Sequence, residues 1–360
     1  VVGLGHIAQT AVLPGLAQAA DSRIAALVSD DPTKLRSLSR KYRVPQAVGY
    51  DDFPALLASG GIDAVYIALP NHLHHRYALQ ALEAKVHVLV EKPMAISEAE
   101  CREMIEAARR NQALLMVAYR LHFEPANLKA VALAKAGRLG ELRFFNSVFS
   151  MQVTEGDVRT ASTFEGGGPL YDLGVYCINA ARGLFQAEPL EVSAFAVRNA
   201  DPRFATCDEM VSALLHFPGE RLASFTASFG ASSTAAYDLV GTTGSLRLDP
   251  AYEYQEELHQ RLTIKDRTTE HTYPRSDQFA AEIAYFSRCI RTGTDPEPSG
   301  AEGLADVRVV QAILESARTR RPVGITPTDA PVQRPDPRQV IVYPPAGAKP
   351  KAIHASQPHR

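Results

Sequence analysis

Tryptophan is absent from this 360-residue chain and cysteine occurs only four times. No apolar run approaches the roughly 18 residues that a membrane-spanning helix needs, so a helical membrane protein is excluded. Cys101, Cys177, Cys207 and Cys289 are scattered, with no C-x-x-C pair and no Cys/His ligand spacing. A disulfide framework and a zinc ribbon are therefore set aside, and a reducing compartment fits best. Also missing is any excess of charge: 38 Lys+Arg stand against 40 Asp+Glu, a net charge of -2. Without a positive field there is nothing to hold a polyphosphate backbone, and nucleic acid is not expected as a partner. No basic-then-apolar leader precedes the first motif, although the chain opens on Val1 rather than methionine. The compartment is read as cytoplasmic, with the periplasm as the alternative if a leader precedes Val1.

What is present is an ordinary globular mix, 46% hydrophobic and 22% charged. At one domain per roughly 100–200 residues, the length suggests two. Over residues 1–120, short apolar runs alternate with helix-period segments, the mark of βαβ units and a doubly wound parallel sheet. The runs are Val1-Val2, Arg23–Val28, Ala64–Leu69, His87–Val90 and Leu114–Ala118. Asp31-Pro32 reads as an N-cap with proline at N1, and Ser97 with Glu100 as a capping box. From 121 to 327 the texture changes to a second, α+β domain. After a helix over 126–136, runs at 142–151, 190–197, 210–217 and 222–229 are rich in Val, Phe and Ser. Turns at Pro218-Gly219 and Gly241–Gly244 suit a meander, and hence a large, open, mainly antiparallel sheet. Helical patterns return at 278–292 and 303–319. From 328 to 360 the chain is proline-rich and reads as an extended, poorly ordered tail.

Four constellations carry chemistry. Gly3-Leu4-Gly5-His6-Ile7-Ala8 is a G-x-G-x-x-A between a strand remnant and a helical stretch. Its first glycine suits a tight turn, its second a close pyrophosphate and Ala8 close helix–strand packing, with the anion on the helix N-terminus. About 20 residues on, where NAD enzymes place an acid on the ribose, the strand ends at Ser29. A neutral hydroxyl does not repel a 2′-phosphate, and Lys34 and Arg36 could pair with one, so NADP is favoured over NAD. The alternative is that Asp30 or Asp31 reaches the ribose. Leu69-Pro70-Asn71 with His72, His74 and His75 follows a parallel strand, at the carboxyl edge where α/β sheets bind ligands. Three histidines invite a metal, but no Cys or carboxylate lies at ligand spacing, and none is assigned. Glu91-Lys92-Pro93 also ends a strand, which would aim the Lys92 ammonium at the same edge. Arg120, at another strand end, could meet a phosphate or a carboxylate.

In their order and spacing these motifs, with Tyr119-Arg120-Leu121-His122 and Gly166-Gly167-Gly168…Asp172-Leu173-Gly174-Val175-Tyr176, resemble the Gfo/Idh/MocA oxidoreductases, most of all the glucose–fructose oxidoreductase branch. The resemblance runs to about Pro327. It implies a Rossmann domain, a C-terminal open-sheet domain that often mediates oligomerisation, and hydride exchange between a nicotinamide and a sugar carbon. A homodimer or homotetramer is expected. Carried over by position, Lys92, Asp172 and Tyr176 form the catalytic set and, with His122, the substrate contacts. Gly3, Gly5, His6, Ile7, Ala8, Ser29, Lys34, Arg36, Leu69, Pro70, Asn71, His74, Glu91, Lys92, Pro93 and Arg120 are the expected cofactor contacts. Two departures stand out: Tyr176 replaces the His of many members, and His6 replaces a lysine common in that branch.

Independently of the resemblance, Asp172 and Tyr176 are four apart in a helical stretch and share a face. A phenol needs a nearby cation such as Lys92 to serve as a base at neutral pH. Asn179, seven residues after Asp172, falls on the same face. An aldose 1-dehydrogenase and a glucose–fructose transhydrogenase both satisfy this pattern, while a nucleotide-binding sensor or an NAD-dependent glycosidase on the same scaffold is the alternative. The sugar is not fixed, because specificity would lie in loops such as Met151–Phe164.

Overall fold

The computed structural model describes residues 1–326, 334–336, 340–347 and 351–355. Two compact units divide the chain, and neither is one continuous stretch. Val1–Phe123, Ser276–Gly303 and the described residues from Pro335 onward form the first; Glu124–Arg275 and the described residues of Leu304–Arg334 form the second. The chain first changes unit between Phe123 and Glu124, and later segments return to the first unit.

In the first unit the strands are β1 (Ala26–Val28), β2 (Gln46–Val48), β3 (Ala64–Ile67), β4 (His87–Glu91) and β5 (Leu115–Ala118). β1 pairs with β2, β3 with β4 and β4 with β5, all parallel. Val2 bridges in parallel to both Val28 and Ile67, which joins the two groups into one doubly wound sheet. Strand order reverses at Val2, the position where α/β sheets open a ligand crevice beyond the strand ends. β4 is an uninterrupted apolar run because both faces are covered: Val88, Leu89 and Val90 are at most 2% exposed. β2, three residues long, mostly exposed and at the sheet edge, gives no such signal and is not apparent from the sequence.

Helices follow each strand. A helical segment opens at His6, widens to π-helix over Ala8–Val12 and continues as α1 (Leu13–Gln18). α2 (Pro32–Tyr42) starts as its cap predicts, Asp31 accepting the Thr33 and Lys34 N–H groups. α3 (Phe53–Ala58) and α4 (Asn71–Glu83) precede α5 (Glu98–Asn111), whose cap Ser97 accepts the Glu100 N–H while the Glu100 carboxylate accepts that of Ile96.

The second unit holds α6 (Pro125–Lys135), α7 (Val175–Phe185) and a nine-stranded sheet. Its strands are β6 (Leu142–Ser150), β7 (Glu191–Val197), β8 (Met210–Phe217), β9 (Arg221–Ser228), β10 (Thr234–Gly241), β11 (Gly244–Leu248), β12 (Leu258–Ile264) and β13 (Arg267–Tyr273). The chain then adds α8 (Gln278–Thr292) to the first unit, followed by α9 (Gly300–Thr319) and the short edge strand β14 (Val323–Gly324). The order is β13-β12-β11-β10-β6-β9-β8-β7-β14. Every pair is antiparallel except β6 with β9. A plain meander therefore does not describe it. β6 inserts between β9 and β10, because the segment carrying α7 takes the chain across the sheet before β7. Alternation sets the core: Val211, Ala213, Leu215 and Phe217 of β8 are at most 5% exposed.

Candidate active site

Gly3 takes φ +91°, and a Cβ built on it would lie 2.4 Å from the Ala68 carbonyl oxygen, so no side chain fits. Gly5 differs: a Cβ there would meet no atom within 4 Å. The protein does not use that space, which lies at the N-terminus of the helical segment opened by His6 and Ile7, where backbone N–H groups favour an anion. Ala8 is fully buried and lets the helix approach the strand. The turn fits a dinucleotide pyrophosphate.

At the end of β1, Ser29 is buried and its Oγ accepts the Asp31 N–H at 3.2 Å. Neither neighbouring acid is idle. Asp30 Oδ1 accepts the Tyr50 N–H at 2.9 Å, and Asp31 Oδ1 accepts those of Thr33 and Lys34 at 2.9 and 3.0 Å. Lys34 lies in the first turn of α2. Arg36, two residues on, points to a different side of that helix, since residues i and i+2 do not face one another. Lys34 is the one whose N–H joins the Asp31 cap beside Ser29.

The loops after β3 and β4 meet at His74, whose neutral ring has one N–H to donate to one of two facing carbonyls. Fully buried, its Nδ1 lies 2.8 Å from the Pro93 carbonyl oxygen and its Nε2 2.9 Å from that of Leu69. Burial pushes its pKa down to about 4, against the pull of the two carbonyls. On the other side of Lys92, Glu91 Oε1 accepts the Tyr66 hydroxyl at 2.8 Å. Lys92 itself is half-buried, with its backbone held by anchors on both sides. The Lys92–Pro93 peptide is cis.

In the second unit, Asp172 lies in the π-helical stretch Leu170–Gly174 and Tyr176 in the first turn of α7. A Cβ on Gly167 would lie 1.9 Å from the Ala161 carbonyl oxygen, which explains why the preceding turn needs glycine. The Gly168 N–H bonds to the Arg159 carbonyl at 2.8 Å, bringing the 151–164 loop onto this helix start. Arg159 Nε then meets Asp172 Oδ2 at 3.0 Å. Burial opposes the guanidinium charge, but Asp172 and Asp157 outweigh it and hold the Arg159 pKa above its ordinary value. The Tyr176 ring is edge-on to Phe149, with centroids 5.6 Å apart, and 6.1 Å from that of Tyr252.

The model for an oxidoreductase family with an NAD-binding Rossmann fold, GFO_IDH_MocA, matches residues 1–119, and that for the GFO/IDH/MocA C-terminal domain matches residues 127–247. The chain belongs to the Gfo/Idh/MocA oxidoreductases. A curated relative, D-xylose 1-dehydrogenase [NADP(+)] of Haloarcula marismortui, is 31% identical over 90% of this chain and 92% of its own length. Among solved structures, aldose-aldose oxidoreductase of Caulobacter crescentus is similar with a TM-score of 0.86 and 33% identity, over 90% of this chain and 98% of that one. A 3-ketoreductase of Actinomadura kijaniata in complex with TDP-benzene and NADP has a TM-score of 0.78 at 27% identity, over 88% of this chain and 96% of that one.

Within this Gfo/Idh/MocA chain not every expected contact is open to a ligand. Arg120 is 6% exposed and donates through Nη1 to Gln278 Oε1 at 2.7 Å, in the field of the Glu91 and Glu282 carboxyls. Its described surroundings are thus an amide oxygen and two carboxyl groups. His74 joins two loops and is fully enclosed, so its part at the cofactor edge is to position them. His122 is buried and stacked on Tyr119, with ring centroids 5.4 Å apart. Asn179 donates to Asp306 Oδ2 at 2.8 Å beside buried Arg182, which places it in a buried polar network. His75 pairs with Glu103 at 2.8 Å, and among the described residues no three His, Cys, Asp or Glu side chains are placed to hold a metal. None of the described helices is long and apolar enough to cross a membrane.

Sequence reasoning missed Arg159 and Glu282. Glu282 is the one acid within the apolar run Phe279–Phe286 of α8, a signal that could have found it. Arg159 gives no such signal, because a loop arginine is the commonest kind of solvated charge.

Proposed function

We propose that this protein is an NADP-dependent sugar oxidoreductase that oxidises an aldose at C1. The observation that carries the reading is the Asp172 carboxylate, held by Arg159 one helical turn before Tyr176, in a chain that also keeps Lys92 on an anchored loop. NADP rather than NAD is supported by Ser29, with both nearby acids engaged by backbone N–H groups, and by relatives named for that cofactor.

Gly3, Gly5, Ala8, Ser29 and Lys34 would hold the dinucleotide, and its nicotinamide supplies the hydride acceptor. The C1 hydroxyl proton leaves to the Tyr176 oxygen as the C1–H bond breaks, and the C1–O bond gains double-bond character. Lys92 would steady the developing oxyanion, and Asp172 would accept a hydrogen bond from a sugar hydroxyl. Aldose and oxidised cofactor become lactone, reduced cofactor and one proton.

Absorbance at the reduced-nicotinamide band, with NADP and either D-xylose or D-glucose, tests this. Steady production is expected from an ordinary dehydrogenase. A single burst, discharged by a second sugar, would instead place the chain with transhydrogenases, a reading supported by its likeness to aldose-aldose oxidoreductase. Tyr176→Phe should lower kcat by about 10²–10⁴ with an unchanged melting temperature. Absence of reduction with any aldose would sink the proposal.

A homo-oligomer is part of the same reading. Phe144 and Leu222, in register on β6 and β9, are 39% and 44% exposed, with Leu214 and Phe195 on β8 and β7 at 46% and 60%. Such an apolar sheet face suits a second copy, and a monomer in light scattering would exclude it. Four buried cysteines, all unbridged, support a reducing compartment.

A further inference from the structure

The far end of the chain returns to the dinucleotide turn. Gln9, which directly follows the G-x-G-x-x-A motif, is 2% exposed, and its amide is fully used. Its Nε2 donates to the Leu4 carbonyl and to the Ile353 carbonyl, both at 2.9 Å, while its Oε1 accepts the Ile353 N–H at 2.8 Å. The Ile353 side chain packs on the cluster of Leu4, Leu13, Leu27, Leu38 and Val44, the core directly beneath the glycine turn. A second anchor lies upstream, where the Tyr343 carbonyl accepts the Asp277 N–H at 3.0 Å. All of these residues belong to the first unit. The returning segment lies outside both family models, which end at residue 247.

This clasp delivers one side chain to the ribose end of the site. His354 Nδ1 lies 2.8 Å from Asp31 Oδ2. Asp31 is the acid whose N–H bonds to Ser29 Oγ at 3.2 Å, so its carboxylate sits beside the position where the 2′ substituent of an adenosine ribose is read. A 2′-phosphate carries nearly two negative charges, and an uncompensated carboxylate there would repel it. Asp31 Oδ1 is occupied by two backbone N–H groups, which leaves Oδ2 as the oxygen needing a counter-charge. His354 meets that oxygen. Its Nδ1–H donates to that oxygen, since a carboxylate can only accept, and 61% of its side chain is exposed.

We propose that residues 351–355 form a built wall of the cofactor site and that His354 is a specificity-determining residue for the 2′-phosphate of NADP. The inference rests on the cofactor reading above. It predicts discrimination between two dinucleotides that differ only in that phosphate, which a strap serving stability alone would not produce.

The test is direct titration of NADPH and NADH, followed by nicotinamide fluorescence, in the 360-residue chain, which contains no tryptophan. His354→Ala should raise the NADPH Kd about tenfold and leave the NADH Kd within about twofold, as expected for losing one charge-assisted partner. Deleting residues 351–360 should do the same, without adding to the effect of His354→Ala. Asp31→Asn, which keeps the helix cap, should restore most of the NADPH affinity lost by His354→Ala. Equal weakening of both dinucleotides would overturn the proposal in favour of a purely structural strap, and unchanged Kd values would overturn it outright. If the unmodified protein binds neither dinucleotide, the functional reading fails and this inference with it.

Discussion

Arg159 Nε lies 3.0 Å from Asp172 Oδ2 while its Nη1 lies 3.3 Å from Asp157 Oδ1. One guanidinium thus joins the 151–164 loop to the helical stretch that carries both Asp172 and Tyr176. Asp157 is 3% exposed and also accepts the Arg159 N–H, so the loop turn is set before the long side chain extends. The order of cause runs from turn to arginine to carboxylate. On the proposed function, Arg159 is a positioning residue for Asp172.

Replacing Arg159 with Ala should therefore raise the sugar KM more than it lowers kcat. A charge-assisted hydrogen bond is worth about 1.5–3 kcal/mol, which corresponds to roughly a 10–100-fold loss in kcat/KM. The NADPH Kd, read by fluorescence, should not move, because this ion pair and the dinucleotide turn lie in different units. Arg159→Lys should recover only part of the loss, since an ammonium cannot span two carboxylates as the guanidinium fork does. A kcat/KM within twofold of the parent in Arg159→Ala would refute the assignment.

Gly3 and Gly5 look equivalent in the motif, yet they should fail differently. Gly3→Ala places a Cβ 2.4 Å from a backbone oxygen at φ +91°, so the apo-protein itself should lose stability, by about 1–3 kcal/mol or more. Gly5→Val places its side chain in open space, so the apo melting temperature should stay within about 2 °C while dinucleotide affinity falls at least about 100-fold. Thermal melts with and without NADP separate the two. Equal destabilisation of the apo forms would mean that the space at Gly5 is not the anion cradle.

The sequence displayed those parts whose signal is local. The Asp31 and Ser97 caps and the turn at Gly3 depend on neighbours within a few residues, and each is in place. What was not legible depends on distant partners. Arg120 reads as a strand-end cation until Gln278, 158 residues later, returns to meet it. His74 reads as a ligand contact until burial and two carbonyls from separate loops show it to be a clasp. Arg36 shares its composition signal with Lys34, and only the helix phase separates them. The return of Ile353 to Gln9 across 344 residues has no local signature, because a buried amide clasp needs only one glutamine and one backbone.

His74 gives a pH-dependent stability whose sign follows from its environment. Its folded pKa of about 4 lies below the ordinary 6.5, so between these values the unfolded chain binds the proton and the folded one does not. Stability contributed by neutral His74 is thus complete above about pH 6.5 and is lost as pH falls toward 4, by about 3 kcal/mol in total. In His74→Asn that term is absent. Denaturant melts of the two proteins from pH 8 to pH 4 should show the variant weaker at neutral pH and the gap narrowing steadily with acid. A gap of constant size would show that His74 does not titrate across this range.

Glu282 should behave with the opposite dependence. Fully buried on α8, with Oε1 3.5 Å from the Tyr66 hydroxyl that also serves Glu91, it has no hydrogen-bond partner for its Oε2 among the described residues. Burial, reinforced by the charge of Glu91, raises its pKa well above the ordinary 4.5. Above that ordinary value the unfolded carboxyl ionises while the folded one keeps its proton, so each further pH unit costs up to about 1.4 kcal/mol until the folded group also titrates. Glu282→Gln keeps the shape and the neutral state without that cost. Near pH 4.5 the two proteins should melt within a degree or two of each other, and by pH 8 the glutamine variant should be the more stable. Melting temperatures across this series decide the matter. A variant that is destabilised most at alkaline pH would show instead that Glu282 is ionised in the folded protein and paired with Arg120, so that its negative charge is part of what holds the Tyr66, Glu91 and Arg120 cluster beneath Lys92.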